Sequence, residues 1–294
     1  MMQGFRGFQH VTVSVGDVDR ALAFYRDVLG FRRLGRLYYR NKAGLVIDFL
    51  DIGNDALLEL FSFQVPTKPS EWVPNDLQLG LRHIGFAVGS VDVVAAHLRD
   101  VGVEFTMDPQ DAHGKVRIAF FKDPDGTLLE LVEGQVQYDT ELDAGRTCRR
   151  PHRIPAAERR LIFDHVALTV SDLKAALRFY CSVLGFAMLG QLAVNDGRGF
   201  TITHVQAGSA VLELFSFAMP TIERAWDSDE TVLGLKHLGF LVDDVDAVAN
   251  RLAAADVRFI YPPTDALGAV KTAFFADPDG NALELIDGTC RYDE

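Results

Sequence analysis

The stretch that decides the fold is HVTVSVGDVDRALAFYRDVLGF at His10–Phe31, because it returns as HVALTVSDLKAALRFYCSVLGF at His165–Phe186. Three further pairs follow in the same order, at an offset one residue shorter. They are LLELFSF from Leu57 with VLELFSF from Val211, LGLRHIGFAV from Leu79 with LGLKHLGFLV from Leu233, and AFFKDPDGTLLEL from Ala119 with AFFADPDGNALEL from Ala273. The chain is therefore an internal duplication.

A fainter repeat lies inside each half. HVTVSVGDVDRALAFYRDV resembles HIGFAVGSVDVVAAHLRDV from His83, and LLEL occurs at both Glu59 and Glu130. Each quarter opens on a strand that begins with His, continues into an amphipathic helix and closes on a strand that carries Glu. Apolar segments bounded by turns, such as GLVIDFLDI from Gly44, supply the remaining strands. The pattern predicts an α+β protein of four βαβββ units.

The two halves predict two domains. Residues 1–140 hold the first two units and residues 161–294 the last two. Residues 141–160, ELDAGRTCRRPHRIPAAERR, have no repeated counterpart and are interpreted as a charged linker.

Composition limits the possible partners. A formal charge of −12 and a pI near 5.1 disfavour nucleic acid and anionic membranes, so a small-molecule substrate is expected, with a homodimer possible. No apolar run reaches the ~18 residues that span a bilayer, and the start MMQGFRGFQH lacks a secretory signal, which predicts a cytoplasmic protein. The three widely spaced cysteines predict neither disulfides nor a thiolate metal site.

Strand alternation places the repeated His and Glu on one face. His10 shares its face with Thr12 and Ser14, while the intervening valines face a helix. Glu59 sits among large apolar side chains, where a carboxylate without a partner is costly. A single buried His is usually structural, but every quarter repeats the pair. The candidate metal ligands are His10, Glu59, His83, Glu130, His165, Glu213, His237 and Glu284.

The other four histidines, His97, His113, His152 and His204, are not expected to be ligands, and His113 is the main exception to consider. His204 falls on a strand position with no predicted partner. Imidazole and carboxylate donors suit Fe, Mn, Zn, Ni or Co without ranking them.

The motifs HVxxxVxDxxxALxFYxxVLGF, LELF, GLxHxGF and FFxDPDGxxLEL resemble those of the vicinal oxygen chelate superfamily over about residues 8–140 and 163–294. This superfamily includes glyoxalase I, extradiol ring-cleaving dioxygenases and bleomycin resistance proteins. The resemblance implies half-open barrels, each made of two βαβββ units around one divalent metal.

The resemblance also separates reactions. Its fourth-strand ligand, present in glyoxalase I and absent from dioxygenases, matches Glu59 and Glu213, which favours proton transfer. Phe120 and Phe274 stand where dioxygenases usually have Tyr. None of the glutathione-binding positions can be matched.

The predicted function is a metal-dependent lyase or isomerase that moves a proton through an enediolate on a small bidentate oxygen substrate. Glu59, Glu130, Glu213 and Glu284 are the candidate catalytic bases. One alternative is an Fe(II) extradiol dioxygenase that uses His165, His237 and Glu284. The other is a metal-free protein that sequesters its ligand.

The connectors FSFQVPTKPSEW and FSFAMPTIERAW carry the two tryptophans and are interpreted either as flaps over the pockets or as core. The candidate pocket residues are Phe61, Phe63, Trp72, Phe215, Phe217, Trp226 and His113. About one metal is expected per half. A linker of about 20 residues reaches either arrangement of the ligand sets, and we expect the ligands of each site to come from the same half.

Overall fold

The computed structural model describes residues 2–39, 43–70, 75–141, 153–224 and 229–293. The predicted Trp72 and Trp226 and most of the predicted linker lie outside the described residues. Among the described residues, no helix combines the length and the apolar character needed to cross a membrane.

Four βαβββ units follow one another along the chain, as the repeat predicts. Unit 1 consists of β1 (Phe5–Ser14), α1 (Val18–Leu22) with a π-helical turn (Ala23–Val28), β2 (Arg32–Tyr38), β3 (Val46–Gly53) and β4 (Ala56–Ser62). Unit 2 consists of β5 (Gly80–Ala87), α2 (Val91–Asp100), β6 (Phe105–Ala112), β7 (Val116–Lys122) and β8 (Leu128–Glu133), followed by the short β9 (Thr140–Glu141).

The second half repeats this plan. Unit 3 consists of β10 (Ile162–Thr169), α3 (Leu173–Leu177) with a π-helical turn (Arg178–Val183), β11 (Ala187–Val194), β12 (Phe200–Ala207) and β13 (Ala210–Ser216). Unit 4 consists of β14 (Gly234–Val242), α4 (Val245–Ala254), β15 (Phe259–Ala266), β16 (Val270–Ala276) and β17 (Ala282–Gly288).

Each helix begins at a polar side chain that follows the first strand of its unit. These residues accept hydrogen bonds from backbone N–H groups of the first helical turn, which would otherwise lack partners. The capping residues are Asp17, Ser90, Asp172 and Asp244.

The units combine into two sheets, and each sheet takes one unit from each half of the sequence. Sheet I contains units 1 and 4 in the order β15-β16-β17-β14-β1-β4-β3-β2. Sheet II contains units 2 and 3 in the order β6-β7-β8-β5-β10-β13-β12-β11-β9. The first strands of the paired units, β1 with β14 and β5 with β10, lie antiparallel at the centre of each sheet.

One contiguous apolar core includes buried residues of both sheets and of all four units. Val11 and Val13 are fully buried within it, as the strand alternation predicts. Phe8 stacks on Phe163 across the two sheets with ring centroids 4.9 Å apart. Because the valine face of β1 is buried in the core, its His face is left for the concave side of the sheet.

Candidate metal centres

Each sheet brings two His and two Glu together on its concave face. Site I, in sheet I, contains His10, Glu59, His237 and Glu284. Site II, in sheet II, contains His83, Glu130, His165 and Glu213.

The expectation that each site draws its ligands from one half is wrong. His10 lies beside His237 and not beside His83, because β1 hydrogen-bonds to β14 while β5 hydrogen-bonds to β10. The dioxygenase triad of His165, His237 and Glu284 is wrong for the same reason, since His165 belongs to sheet II and the other two residues to sheet I.

Site II is a compact group of four donors. His83 Nε2 lies 3.1 Å from His165 Nε2 and 3.1 Å from Glu130 Oε2, and His165 Nε2 lies 2.9 Å from the same oxygen. Glu213 Oε2 stands 3.6 Å from both imidazole nitrogens. Donors bound to one ion at ~2.1 Å would be separated by about 3–3.4 Å, so the four residues fit a divalent metal.

The chemistry of site II also fits a cation. Two imidazole nitrogens and two carboxylates converge there, with His83, Glu130 and His165 buried and Glu213 partly exposed, which is unfavourable without a positive charge between them. Asp164 Oδ2 lies 2.9 Å from His165 Nδ1, which orients that ring in the way that carboxylates orient metal-binding histidines.

Site I differs from site II mainly around Glu59. The donor atoms of His10, His237 and Glu284 form a close group, with His10 Nε2 3.2 Å from His237 Nε2 and 3.1 Å from Glu284 Oε2. Glu59 Oε2 is 3.6 Å from His10 Nε2 and accepts a hydrogen bond of 3.0 Å from the hydroxyl of Thr12.

A glycine makes room for one imidazole in each site. A Cβ on Gly239 would lie 2.0 Å from the ring of His10, and a Cβ on Gly85 would lie 2.0 Å from the ring of His165. These are the glycines of the repeated GLxHxGF motif. The motif therefore supplies one candidate ligand through its His, and its Gly leaves space for the second imidazole, which comes from the other half of the chain.

One carboxylate in each site has a low pKa. Burial opposes ionisation of Glu213, but His165, His204 and His83 lower its pKa to about 2. Burial likewise opposes ionisation of Glu284, and hydrogen bonds to His10 and His237 lower its pKa to about 2.

For Glu59, in contrast, burial dominates and raises the pKa above its usual range, while His10 opposes the shift. Burial would lower the pKa of His10, but Glu59 and Glu284 raise it above its usual value.

Site II opens into a cavity of about 710 Å³. Its walls are mainly apolar, and its polar side includes Arg82, Lys122, Asp76 and His113. Burial lowers the pKa of Arg82 to about 10. The apolar wall residues include Val116, Ile118, Phe120, Val132, Leu192, Phe200, Ile202 and Phe215.

The matching face of sheet I carries a compact apolar cluster. The cluster consists of Leu37, Leu45, Ile47, Phe49 and Phe61, each at most 6% exposed. Tyr39, Phe63 and Tyr292 pack against this cluster. The duplication has therefore produced two similar donor sets in unlike surroundings.

The predicted pocket residues are divided between these environments. Phe215 lines the cavity and lies 6.0 Å from the ring of His83, whereas Phe61 is buried 5.8 Å from the ring of His237. Phe217 stacks on Phe200 at 4.6 Å. His113 lies in the cavity wall with Nε2 2.8 Å from Asp139 Oδ2 and is not part of either donor group.

His204 was expected to have no partner, and this is wrong. Its Nε2 lies 2.9 Å from Glu213 Oε1, and its Nδ1 lies 2.9 Å from the hydroxyl of Tyr138. The sequence offered one signal for this contact. Only two residues, Gly208 and Ser209, separate β12 from β13, which predicts a tight hairpin, and this hairpin pairs His204 of β12 with Glu213 of β13 on one face of the sheet.

A family model described as Glyoxalase/Bleomycin resistance protein/Dioxygenase superfamily matches residues 7–131 and 162–285. The uncharacterized protein YaeR of Escherichia coli is 35% identical over 133 residues, which are 45% of this chain and 99% of that protein. Lactoylglutathione lyase GLX1 of Arabidopsis thaliana is 26% identical over 294 residues, with 96% of this chain and 92% of that protein covered.

The crystal structure of glyoxalase I from Zea mays superposes with a TM-score of 0.73 at 24% identity, covering 96% of this chain and 92% of that one. This likeness shows the same fold. The matched residues cover both halves of the duplication, and the chain therefore belongs to the glyoxalase/bleomycin resistance protein/dioxygenase superfamily.

Proposed function

We propose that the protein is a metal-dependent lyase or isomerase of glyoxalase type, acting on a small substrate that presents two neighbouring oxygens. The observation that carries the proposal is the position of site II. The two histidines and two glutamates converge where the 710 Å³ cavity meets sheet II. The similarity to lactoylglutathione lyases along nearly the whole chain supports the same chemistry.

His83, His165, Glu130 and Glu213 would hold the metal at site II, with Fe, Mn, Zn, Ni and Co all suited to these donors. A bound divalent ion supplies Lewis-acid stabilisation of the negative charge that develops on a substrate oxygen. The residues of site I would hold a second ion.

Glu213 is the best-placed proton acceptor. Glu130 Oε2 contacts both imidazoles at 2.9 and 3.1 Å, which suits a firmly held ligand. Glu213 Oε2 lies farther away, at 3.6 Å from both nitrogens, and faces the cavity. A carboxylate in this position would take a proton from the hydroxyl-bearing carbon next to the substrate carbonyl and return it to the former carbonyl carbon, while the hydroxyl proton moves to the former carbonyl oxygen.

The cavity favours a substrate with an apolar body. Aliphatic and aromatic side chains form most of its wall, so water is excluded from the part of the substrate away from the oxygens. Arg82 lies in the wall and offers a positive charge to an anionic substrate group. Site II is accordingly proposed as the main catalytic site, because it opens into this cavity, whereas the corresponding face of sheet I carries a compact buried apolar cluster.

The second candidate is ring cleavage by an Fe(II) dioxygenase at site I. The close group of His10, His237 and Glu284 has the two-His, one-carboxylate composition that such iron sites use. Glu59 and the packed apolar cluster beside this group count against it.

The test compares Glu213→Gln with Glu59→Gln in protein loaded separately with each candidate metal. Gln keeps the shape of Glu but lacks its basicity, so Glu213→Gln should lower hemithioacetal turnover by about 10²–10⁴-fold. Glu59→Gln should lower it much less if site II dominates.

Full turnover by Glu213→Gln would contradict the proposed mechanism. Aerobic cleavage of a catechol by the iron-loaded protein would favour the dioxygenase. No metal uptake on titration would favour the ligand-sequestering alternative.

A further inference from the structure

Glu213 is held through its Oε1 by a part-buried chain of two hydrogen bonds. Its Oε1 lies 2.9 Å from His204 Nε2, and His204 Nδ1 lies 2.9 Å from the hydroxyl of Tyr138. His204 is 5% exposed, and its ring is edge-on to that of Tyr138 at 86°. None of these contacts uses Glu213 Oε2, the oxygen that faces His83 and His165.

The hydrogen-bonding chemistry gives the chain a direction. A carboxylate only accepts hydrogen bonds, so the Nε2 of His204 must carry the hydrogen that Glu213 receives. In a neutral imidazole Nδ1 is then an acceptor, and the hydroxyl of Tyr138 donates to it. Tyr138 therefore fixes the tautomer of His204, and His204 fixes the orientation of the Glu213 carboxylate.

Tyr138 reaches this position from another unit of the chain. It follows β8 of unit 2, in the segment that leads to β9, and β9 pairs with β11 of unit 3. Asp139 N also donates a hydrogen bond to the backbone oxygen of Gln191. The tyrosine is thus anchored on the unit that supplies His204 and Glu213.

In site I the equivalent glutamate, Glu59, accepts its hydrogen bond on the oxygen that faces the imidazole. Phe49 lies opposite Glu59 where His204 lies opposite Glu213, and the ring of Tyr292 packs against Phe49 at 5.0 Å. The hydroxyl of Thr12 donates to Glu59 Oε2, the oxygen that stands 3.6 Å from His10 Nε2.

Sheet II carries Ala167 where sheet I carries Thr12. It therefore has no hydroxyl at that position to compete for the inward oxygen of Glu213. Glu59 and Glu213 therefore differ in which carboxylate oxygen accepts the hydrogen bond from the protein.

We propose that His204 is a positioning residue, which together with Tyr138 holds Glu213 by its outer oxygen and turns its inner oxygen toward the metal and the substrate. The proposal rests on the assignment of Glu213 to the reactive site. It adds that the two sites of this chain are functionally unequal because of residues other than the four candidate metal ligands of each site.

The test uses His10→Ala/His237→Ala as a background, so that only site II reports. In this background His204→Phe installs the side chain found in sheet I, His204→Gln retains an amide donor, and Tyr138→Phe removes one hydroxyl. Tyr292→Phe is the matched control, because it removes the equivalent hydroxyl from sheet I.

His204→Phe should reduce Co²⁺ affinity or kcat by about 10–100-fold and change the visible spectrum of the bound Co²⁺, with KM little altered. His204→Gln should recover most of the loss, and Tyr138→Phe should fall between them. Tyr292→Phe should match the background protein. Nitrogen-15 spectra of the wild-type histidines should show His204 with its hydrogen on Nε2.

Unchanged Co²⁺ affinity, spectrum and kcat in folded His204→Phe would overturn the proposal. An equal loss in His204→Gln would do so too, because the effect would then come from ring packing and not from the hydrogen bond. The Co²⁺ spectrum and the nitrogen-15 spectra do not depend on turnover. A failure of the proposed reaction therefore leaves this inference separately testable.

Discussion

His10 and His237 are 227 residues apart in the sequence, yet their Nε2 atoms lie 3.2 Å apart. β1 and β14 bring them together at the centre of sheet I, where Thr12 is paired with His237. The same relationship joins His83 to His165 at 3.1 Å in sheet II. Each candidate metal centre is thus an interface between the two halves of the duplication.

This pairing predicts how histidine substitutions combine. His10→Ala/His237→Ala removes two donors from one site, so the protein should retain about one metal ion. His10→Ala/His83→Ala damages both sites and should retain close to none. Metal content measured by elemental analysis after dialysis decides the matter. The reverse result would show that each site is formed within one half.

The glycines behind the imidazoles predict a local steric effect. Gly85→Ala places a methyl group 2.0 Å from the ring of His165, so that ring must move out of site II. We expect loss of metal from site II and little change at site I, whereas Gly239→Ala should do the opposite. Metal titration of each variant in the folded state measures this. Equal loss from both sites in Gly85→Ala would contradict it.

The low carboxylate pKa values predict acid sensitivity of the metal-free protein. Glu213 and Glu284 have folded-state pKa values of about 2 against a usual 4.5, because neighbouring histidines overcome the effect of burial. Their stabilising contribution is therefore present above about pH 4.5 and lost as the pH falls toward 2. Glu213→Gln/Glu284→Gln should make stability less dependent on pH in this range.

Urea unfolding of the metal-free protein at several pH values between about 5 and 3 provides the measurement. Glu104→Gln/Glu158→Gln removes two exposed carboxylates and serves as the control. If the free energy of unfolding depends equally on pH in the wild type, the site variant and the control, other groups cause the acid sensitivity.

A buried carboxylate in sheet I predicts that equivalent substitutions in the two sheets destabilise the protein to different extents. Asp48 is fully buried and accepts hydrogen bonds from Arg33 Nε at 2.7 Å and from Arg36 Nη2 at 2.7 Å. Asp48→Asn should lower the free energy of unfolding by about 1–3 kcal/mol. This loss is smaller than that expected for a fully buried ion pair, because both arginines are partly exposed to solvent.

In sheet II the equivalent pair is neutral, with Gln191 Nε2 donating to the hydroxyl of Thr203 at 3.0 Å. Thr203→Val should therefore lower the free energy of unfolding by only about 1 kcal/mol. Denaturant unfolding with loaded metal compares the two variants. A larger cost for Thr203→Val than for Asp48→Asn would be inconsistent with this account.

The sequence by itself determined the units and the residue types at both candidate metal centres. Alternation along β1 separates His10 from the valines that enter the core, and the internal repeat transfers that reasoning to His83, His165 and His237. These inferences hold because strand periodicity and helix capping are local properties of the chain.

Only the tertiary structure decided which unit pairs with which. The strands that begin units 2 and 4 are nearly alike, GLRHIGF and GLKHLGF, so either offers β1 similar hydrogen bonds and a similar apolar face. The connecting segments are long enough for both arrangements, and lengthening a loop changes its closure entropy only slowly. Strand pairing between distant segments is therefore not specified by the local pattern.

The inequality of the two sites also depended on the tertiary structure. His204 occupies the position that Phe49 has in sheet I, and its partner Tyr138 comes from a segment whose path is set by β9. The cavity over site II and the apolar cluster over site I arise from many side chains that meet across strands. A repeat found in sequence predicts equal sites, and packing between distant residues makes them different.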